Sequence, residues 1–311
     1  MKSPKLVAGM VGIFFGSFLF FLYLSFPYGV LKEAISTKVE AETGMSVRME
    51  SLGLGFPIGL SAENVEVSMK SSPRFKLKDV SVNWDVLQLF LLRAGVSIGL
   101  RDEGGGTLNL GIGYGLFSLL TGSFGLPSVI SLQAKKLTLD SLMDFAVYAL
   151  VDRGVAGPLA GPLLSKIGIK GKLSANSQVS LNSSNTSLSS GNLDLKLSDA
   201  VLVLSDPSFG FPDQSFKTAT ISVAATNGSL NIDPSTRFTT EDLELGVDGK
   251  MTLNPKFSTS PMNLKAFVHL KGALGEQFGS LIDAISGGIS KDGAINLQIG
   301  GTVSTPKYDP I

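Results

Sequence analysis

Few residues in this sequence of 311 could carry chemistry. His269 is the only histidine, and it stands between Val268 and Leu270. Because side chains alternate along a strand, His269 points away from these two apolar neighbours, and we expect a solvated or edge-strand position for it. No partner group for a general base can be named from the sequence, so neither a catalytic triad nor a histidine metal site is predicted.

Two pairs of adjacent carboxylates, Asp102–Glu103 and Glu241–Asp242, could in principle hold a proton or a cation. Neighbouring side chains diverge on a strand, so we interpret both pairs as solvated charges at strand or loop ends. The glycine runs Gly104–Gly106 and Gly111–Gly115 lack both the dinucleotide spacing and a P-loop lysine, and they indicate a turn and a bent strand end. We therefore expect no enzyme activity, no cofactor, no metal and no small-molecule substrate.

Composition limits the classes of partner. The chain has no cysteine, which excludes disulfides and thiolate chemistry. Lys plus Arg and Asp plus Glu number 26 each, so no overall field attracts nucleic acid or anionic lipid. A hydrophobic content of 43% with 36 glycines favours strands, turns and membrane over disorder. Partners must therefore be recognised through apolar surface.

The N-terminal segment predicts a membrane anchor. Leu6–Leu24 is uncharged and long enough to cross a bilayer, which takes about 20 apolar residues as helix. Lys2 and Lys5 precede it and keep residues 1–5 in the cytoplasm. A cleaved signal peptide is the alternative, but its apolar region spans about 7 to 15 residues and ends in small residues. We predict an uncleaved, single transmembrane helix over residues 6–26. Its lipid-facing side chains are predicted to be Leu6, Val7, Val11, Ile13, Phe14, Phe15, Phe18, Leu19, Phe20, Phe21, Leu22 and Leu24.

An amphipathic helix is predicted over residues 27–44, with Gly44 as its C-terminal stop. It lies either on the membrane surface or on the domain beneath, and ordinary packing is the simpler interpretation. Its predicted apolar stripe consists of Val30, Ala34, Ile35 and Val39.

From residue 45 to residue 311 the hydrophobic period changes from helical to two, which predicts half-buried strands. Val80 and Val82 have the opposite parity to Phe75 and Leu77, so we expect a bulge or break near Asp79. About a dozen evenly spaced strands joined by Gly, Asn, Ser and Pro turns favour a mainly β fold, with one long antiparallel sheet. The predicted short helices are Val86–Arg93, Leu116–Phe124, Leu142–Val151 and Leu274–Ile285, and the predicted loop is Asn182–Asn192.

A sheet with one apolar face must cover that face with a second sheet, its own far end, helices or a ligand. The short helices cover only part of so long a sheet, so closure as a sandwich and an apolar groove remain two alternatives. Trp84 is predicted to be a core residue beside Phe75. Behind a membrane anchor, acyl chains of membrane lipids are the natural ligand of a groove. The predicted groove residues, first a core and second a lipid-contacting wall, are Val65, Val67, Val80, Val82, Trp84, Leu108, Leu110, Leu193, Leu195, Leu243, Leu245 and Leu297.

The order of these features resembles a known family. The stretches YLSFPYGVLKEAISTKVEAETGMSV, FPIGLSAENVEVS, FKLKDVSVNWDVLQLFLLRAGVSIGL and INLQIGGTVSTPKY are similar to the protein N component of bacterial type II secretion systems, in its AsmA-like form. The wider AsmA and TamB group shares a Thr-Gly turn before a strand, an apolar strand-linking segment and a closing G-T-x-x-x-P strand. The corresponding residues here are Thr43 and Gly44, Val86–Leu92, and Gly301, Thr302 and Pro306.

This resemblance implies an inner-membrane anchor, a periplasmic β-sheet curved into a groove, and a non-enzymatic role in envelope assembly or protein secretion. Other secretion-system proteins and membrane lipids are the partners it implies. For the AsmA relatives it also implies movement of lipid between membranes.

Overall fold

A computed structural model describes residues 13, 14, 17, 21, 25–55, 58–69, 74–85, 93–115, 127–140, 142, 143, 145, 147, 167–182, 188–204, 213–254, 257–272, 274–276, 290, 291 and 294–311. These residues include the helix α1 (Tyr28–Thr43), the short 3-10 helix Phe257–Thr259, parts of further helical segments, and 18 strands. The strands are β1 (Met45–Arg48), β2 (Ser51–Gly55), β3 (Gly59–Met69), β4 (Phe75–Asp85), β5 (Arg93–Asp102), β6 (Thr107–Gly115), β7 (Val129–Thr138), β8 (Ile167–Ser180), β9 (Ser190–Leu204), β10 (Gln214–Ser215), β11 (Thr218–Thr226), β12 (Ser229–Ile232), β13 (Arg237–Thr239), β14 (Leu243–Thr252), β15 (Met262–Leu270), β16 (Ser290–Lys291), β17 (Ala294–Thr302) and β18 (Thr305–Pro310).

All 18 strands belong to one antiparallel sheet, which confirms the mainly β prediction. Consecutive strands pair from β2 to β9, and β9 then pairs with β10 and β11. The sheet continues through β12 and β13 to β14, β15, β17 and β18. The sequence predicts only about a dozen strands, in part because the two- and three-residue strands β10, β13 and β16 are too short to show alternation.

The predicted transmembrane helix over residues 6–26 is not confirmed. Among the described residues, no helix combines the length and the apolar character needed to cross a membrane. Ile13, Phe14 and Phe21 are helical and exposed. The other predicted anchor side chains lie outside the described residues, so the anchor stays a prediction.

Helix α1 ends at Gly44, whose φ of +70° is left-handed. The Gly44 N–H donates to the Glu40 carbonyl at 2.8 Å, the bond expected of a glycine after a helix end. The predicted stripe is wrong at Val30 and Ala34, which are exposed. The helix contacts β1 and β2 with a different side of its surface, so a different set of apolar side chains is partly covered. The half-buried apolar side chains at i, i+4 and i+8 are Leu31, Ile35 and Val39.

Register shifts keep the apolar side chains on one face of the long strands. The pairing of β4 with β5 shifts between Leu77 and Asp79, where the change of parity predicts a bulge. The register also shifts in β7 at Lys136, whose φ is +51°, and in β8 at Gly171, whose φ is +126°. Each extra residue restores the inward direction of the apolar side chains that follow it.

Strand β18 is a protected sheet edge. Within the described residues it pairs only with β17, and all its residues are exposed. The Ile311 N–H donates inward to the Asn296 carbonyl at 3.2 Å. Antiparallel pairing alternates direction at every residue, so the backbone nitrogens of Pro306, Tyr308 and Pro310 face away from β17. Two of these three positions are prolines, which offer no N–H to an added strand.

The predicted short helices are described only in part. Residues 142, 143, 145 and 147 are helical, as are residues 274–276. The remaining residues of Leu142–Val151 and Leu274–Ile285 lie outside the described residues. The same is true of the other two predicted helices, at residues 86–92 and 116–124. Arg93 begins β5 rather than ending a helix. Residues 190–192 of the predicted loop belong to β9, because they pair with β8 residues Gln178, Val179 and Ser180.

Candidate functional site

Residues in register with Val82 form one apolar row across the sheet, which we call the Val82 row. Paired residues on neighbouring strands lie on the same face, so the row can be followed from pair to pair. In order from β2 to β18 it consists of Leu54, Leu60, Val82, Ile98, Leu110, Leu132, Ser177, Leu193, Val223, Ile232, Gly249, Leu264, Ile299 and Tyr308. At about 4.8 Å between strands, the row is about 60 Å long.

The predicted groove residues all lie on the face that carries the Val82 row. Val82, Leu110 and Leu193 belong to the row itself, and Trp84 lies to one side of it. On the other side are Val65, Val67, Val80, Leu108, Leu195, Leu243, Leu245 and Leu297. Alternation therefore identifies a shared face, and contact with a ligand stays a prediction.

The two sides of the Val82 row differ in burial. We call the side that includes Phe75, Leu137 and Leu243 the closed end, and the side that includes Trp84 and Val179 the open end. Apart from Leu264 in the row, every buried apolar side chain among the described residues lies at the closed end. They are Ala62, Val65, Met69, Phe75, Leu77, Ala134, Leu137, Leu139, Ala175, Ala200, Ala219, Leu243 and Leu274.

Helical segments cover the closed end. The Phe145 ring stacks on the Phe75 ring with centroids 6.2 Å apart, and Leu142 packs against the same cluster. Leu274, in the segment after β15, is fully buried. These segments follow strands that finish at the closed end, so chain connectivity places their apolar side chains over one half of the face.

Large apolar side chains are exposed at the open end and in the adjoining part of the row, on β2, on β4 and in the turn between β2 and β3. Leu54 is 47% exposed, Ile58 58%, Val82 39% and Trp84 60%. The backbone N–H of Trp84 donates to the Ile58 carbonyl at 2.9 Å, and this hydrogen bond holds the β2–β3 turn beside the end of β4. The prediction of Trp84 as a core residue is wrong, because no described element covers this corner of the sheet. Leu54 and Ile58 were not predicted, since a Gly- and Pro-rich turn gives no periodic signal.

A cavity of about 450 Å³ lies on the apolar face where β8, β9, β11 and β12 approach the open end. Its volume falls in the range of about 300–1,000 Å³ found for small-molecule sites. Its larger apolar lining residues are Val179, Leu181, Leu193, Val223, Leu230 and Leu253. A cavity of about 480 Å³ lies among Lys135, Asp194 and Lys196 on the opposite face, where charged side chains do not suit an acyl chain.

The opposite face carries an ionic cluster near β14 and β15. Lys271 Nζ lies 2.5 Å from Glu244, and Arg237 lies 3.7 Å from it. The hydrogen bond from Lys271 lowers the pKa of Glu244 despite its partial burial. His269 is half-buried, with Nε2 3.2 Å from Asn296 Oδ1. Since β15 pairs on both sides, the edge-strand alternative predicted for His269 is wrong, whereas its side chain does point away from Val268 and Leu270 to the polar face, where it is partly exposed.

Asp102 is buried at the closed end, with 3% of its surface exposed. Its Oδ1 accepts from the Gly106 N–H and its Oδ2 from the Thr138 N–H, both at 2.6 Å. It pairs with Leu77 and therefore lies on the apolar face. The interpretation of Asp102 as a solvated charge is wrong, whereas Glu103 beside it is exposed. With backbone donors on both oxygens, Asp102 joins the β5–β6 turn to β7.

Among the described residues, the site is therefore an apolar face that helical segments cover at one end of its strands and that no element covers at the other. Within the described residues, no three histidine, aspartate or glutamate side chains are grouped to hold a metal ion. Comparisons of the chain with protein-family models, with curated proteins and with solved structures returned no match.

Proposed function

We propose that this chain is a non-enzymatic component of the bacterial cell envelope that holds acyl chains of membrane phospholipid on the apolar face of its sheet. Residues 6–26 anchor it in the inner membrane, and the sheet lies in the periplasm. The observation that carries this proposal is the Val82 row, which continues across β2 to β18 beyond the region that the described helical segments cover.

The energetics of the uncovered face support a ligand. Covering one exposed Val, Leu or Ile side chain contributes about 1.5–3 kcal/mol. The row and the open end present many half-buried side chains of this kind, and bare apolar patches of more than a few hundred Å² are uncommon on soluble monomers. An extended, flexible hydrocarbon chain suits a row about 60 Å long with few polar groups in it.

The resemblance to protein N supports type II protein secretion as the setting of this function. Two features shared with the AsmA and TamB group have fitting geometry in this chain. Gly44 is left-handed directly after α1, and Gly301, with a φ of +77°, precedes the β17–β18 turn. A second candidate function is a scaffold for secretion proteins, which the same apolar face would serve by binding a protein segment.

A photo-crosslinking amino acid placed on each face separates these functions. Leu193 lies in the middle of the Val82 row, whereas its neighbour Asn192 points to the opposite face. We expect the full-length chain in living cells to form phospholipid adducts from position 193 and not from position 192, as read by mass spectrometry. Protein adducts alone at position 193 would favour the scaffold, and no adduct at position 193 would contradict a bound ligand.

A further inference from the structure

Four exposed apolar side chains lie together at one corner of the sheet, at the open end and in the adjoining part of the Val82 row. We call this corner, consisting of Leu54, Ile58, Val82 and Trp84, the Trp84 patch. Leu54 pairs with Leu60, which pairs with Val82, and the backbone of Ile58 bonds to that of Trp84. The patch therefore combines an aromatic residue with three aliphatic ones, from β2, from β4 and from the turn between β2 and β3.

Helix α1 runs back along β1. Its Lys32 Nζ donates to the Glu50 carbonyl at 3.2 Å. The helix rises about 18 Å between Lys32 and Gly44 at 1.5 Å per residue. The strand extends about 17 Å between Met45 and Glu50 at 3.3 Å per residue. Since these lengths match, α1 and β1 are antiparallel neighbours of similar length.

The start of α1 consequently lies toward the open end. Tyr28 is about 6 Å beyond Lys32 along the helix, which is the level of Leu52 on β2. β2 continues from there to Leu54 in the Trp84 patch. The ring of the exposed Phe26 contacts that of Tyr28, with centroids 4.9 Å apart. The apolar segment over residues 6–26 therefore joins the described chain on the side of the sheet where the Trp84 patch lies.

Charges between β4 and β9 lie mostly away from the open end. On the polar face, the row on the open side of Val82 is uncharged and consists of Asn83, Ser97, Gly111, Ser131, Gln178 and Asn192. Asp85 and Arg93, at the ends of β4 and β5, are exceptions. Toward the closed end the same face carries Lys76, Lys135 and Lys172. Contact with a membrane interface therefore costs the least desolvation free energy at the open end of this region, because few charged groups would lose water there.

We propose that the Trp84 patch rests on the periplasmic surface of the membrane, with Trp84 and Ile58 inserted at the level of the lipid headgroups. Tryptophan is enriched at this level because its ring is apolar and its N–H can still meet water. The open end of the apolar face then meets the bilayer, and lipid can pass between the two. This inference rests on the proposed function and on the anchor over residues 6–26.

Trp84 is the only tryptophan of the chain, so its fluorescence reports on the patch without a label. The full-length chain is reconstituted into phosphatidylcholine vesicles that carry bromine on the upper part of their acyl chains, and into unbrominated vesicles. We expect a blue-shifted emission and a loss of Trp84 intensity in the brominated vesicles. The substitution Ile58→Asp should reduce this quenching, whereas Ile311→Asp, at an exposed residue that follows the far edge strand and lies outside the Val82 row, should not. Equal intensity in both kinds of vesicle would overturn the inference.

A second fluorophore position distinguishes this inference from the proposed function. In a Trp84→Phe background, Leu193→Trp places the fluorophore in the middle of the Val82 row. Quenching at positions 84 and 193 supports both proposals. Quenching at position 84 alone supports the membrane contact and contradicts acyl chains along the face. Quenching at position 193 alone, or at neither position, overturns the membrane contact.

Discussion

Replacing Asp102 tests whether one buried carboxylate holds the closed end of the apolar face together. Both of its oxygens accept backbone N–H groups, from Gly106 and Thr138, at 2.6 Å. The substitution Asp102→Ala removes both acceptors and leaves a buried N–H at Gly106 and a half-buried N–H at Thr138 without them. The substitution Asp102→Asn keeps one acceptor oxygen and turns the other into an N–H₂ group that faces a donor.

The expected loss of stability follows from the two N–H groups that lose their acceptor. An unsatisfied buried N–H costs about 1–3 kcal/mol and the half-buried N–H of Thr138 should cost less, so Asp102→Ala should lower the free energy of unfolding by about 2–4 kcal/mol. A domain is typically stable by about 5–15 kcal/mol, so this loss is a large fraction of the whole. Asp102→Asn should fall between Asp102→Ala and wild type, because one of the two bonds survives.

The measurement is urea denaturation of the full-length chain in detergent micelles, followed by far-ultraviolet circular dichroism. Hydrogen exchange provides a local readout, since the amides of Gly106 and Thr138 should lose protection in Asp102→Ala. Glu103→Ala is the matched control, because this exposed neighbour should change stability by less than about 0.5 kcal/mol. If Asp102→Ala is as stable as Glu103→Ala, the bonds to Asp102 do not hold the closed end and the reasoning is refuted.

Three further predictions concern charge, backbone and the sheet edge. Lys271 lowers the pKa of Glu244, so that carboxylate stabilises the fold above the ordinary glutamate pKa of about 4.3, and its contribution is lost as the pH falls through the lower folded value. Lys271→Met should therefore make the free energy of unfolding fall less steeply as the pH is lowered into the acid range. An unchanged pH dependence would contradict this role of Lys271. Gly171→Ala should destabilise by about 1–3 kcal/mol in urea, because φ is +126° and its Cβ would lie 2.7 Å from a backbone atom of the facing strand; a neutral result would mean that the backbone relaxes. Pro306→Thr with Pro310→Thr should restore outward N–H groups on β18 and cause concentration-dependent self-association in light scattering, and a variant that stays monodisperse would show that the edge is protected in another way.

Local alternation was enough to predict the longer strands and their shared face. The change of parity between Leu77 and Val80 lies within a few residues, so the sequence itself shows where a bulge must restore the direction of the side chains. The same reasoning assigned the twelve groove residues to one face, and the register from β2 to β18 agrees. It also marked Gly44 as the end of α1, because a left-handed glycine after a helix depends only on the local backbone.

Burial could not be predicted in this way, because it depends on what lies above each side chain. Trp84 and Phe75 have the same strand pattern, yet Phe75 is covered by Phe145 and Trp84 is 60% exposed. The local sequence around Asp102 predicts a solvated turn residue, because its second donor, the N–H of Thr138, is 36 positions away in the chain. The amino-acid sequence alone determined which side chains share the apolar face, since that follows from the two-residue period of a strand. Only the tertiary structure decided which end of that face is covered, since covering requires segments far apart in the chain to meet.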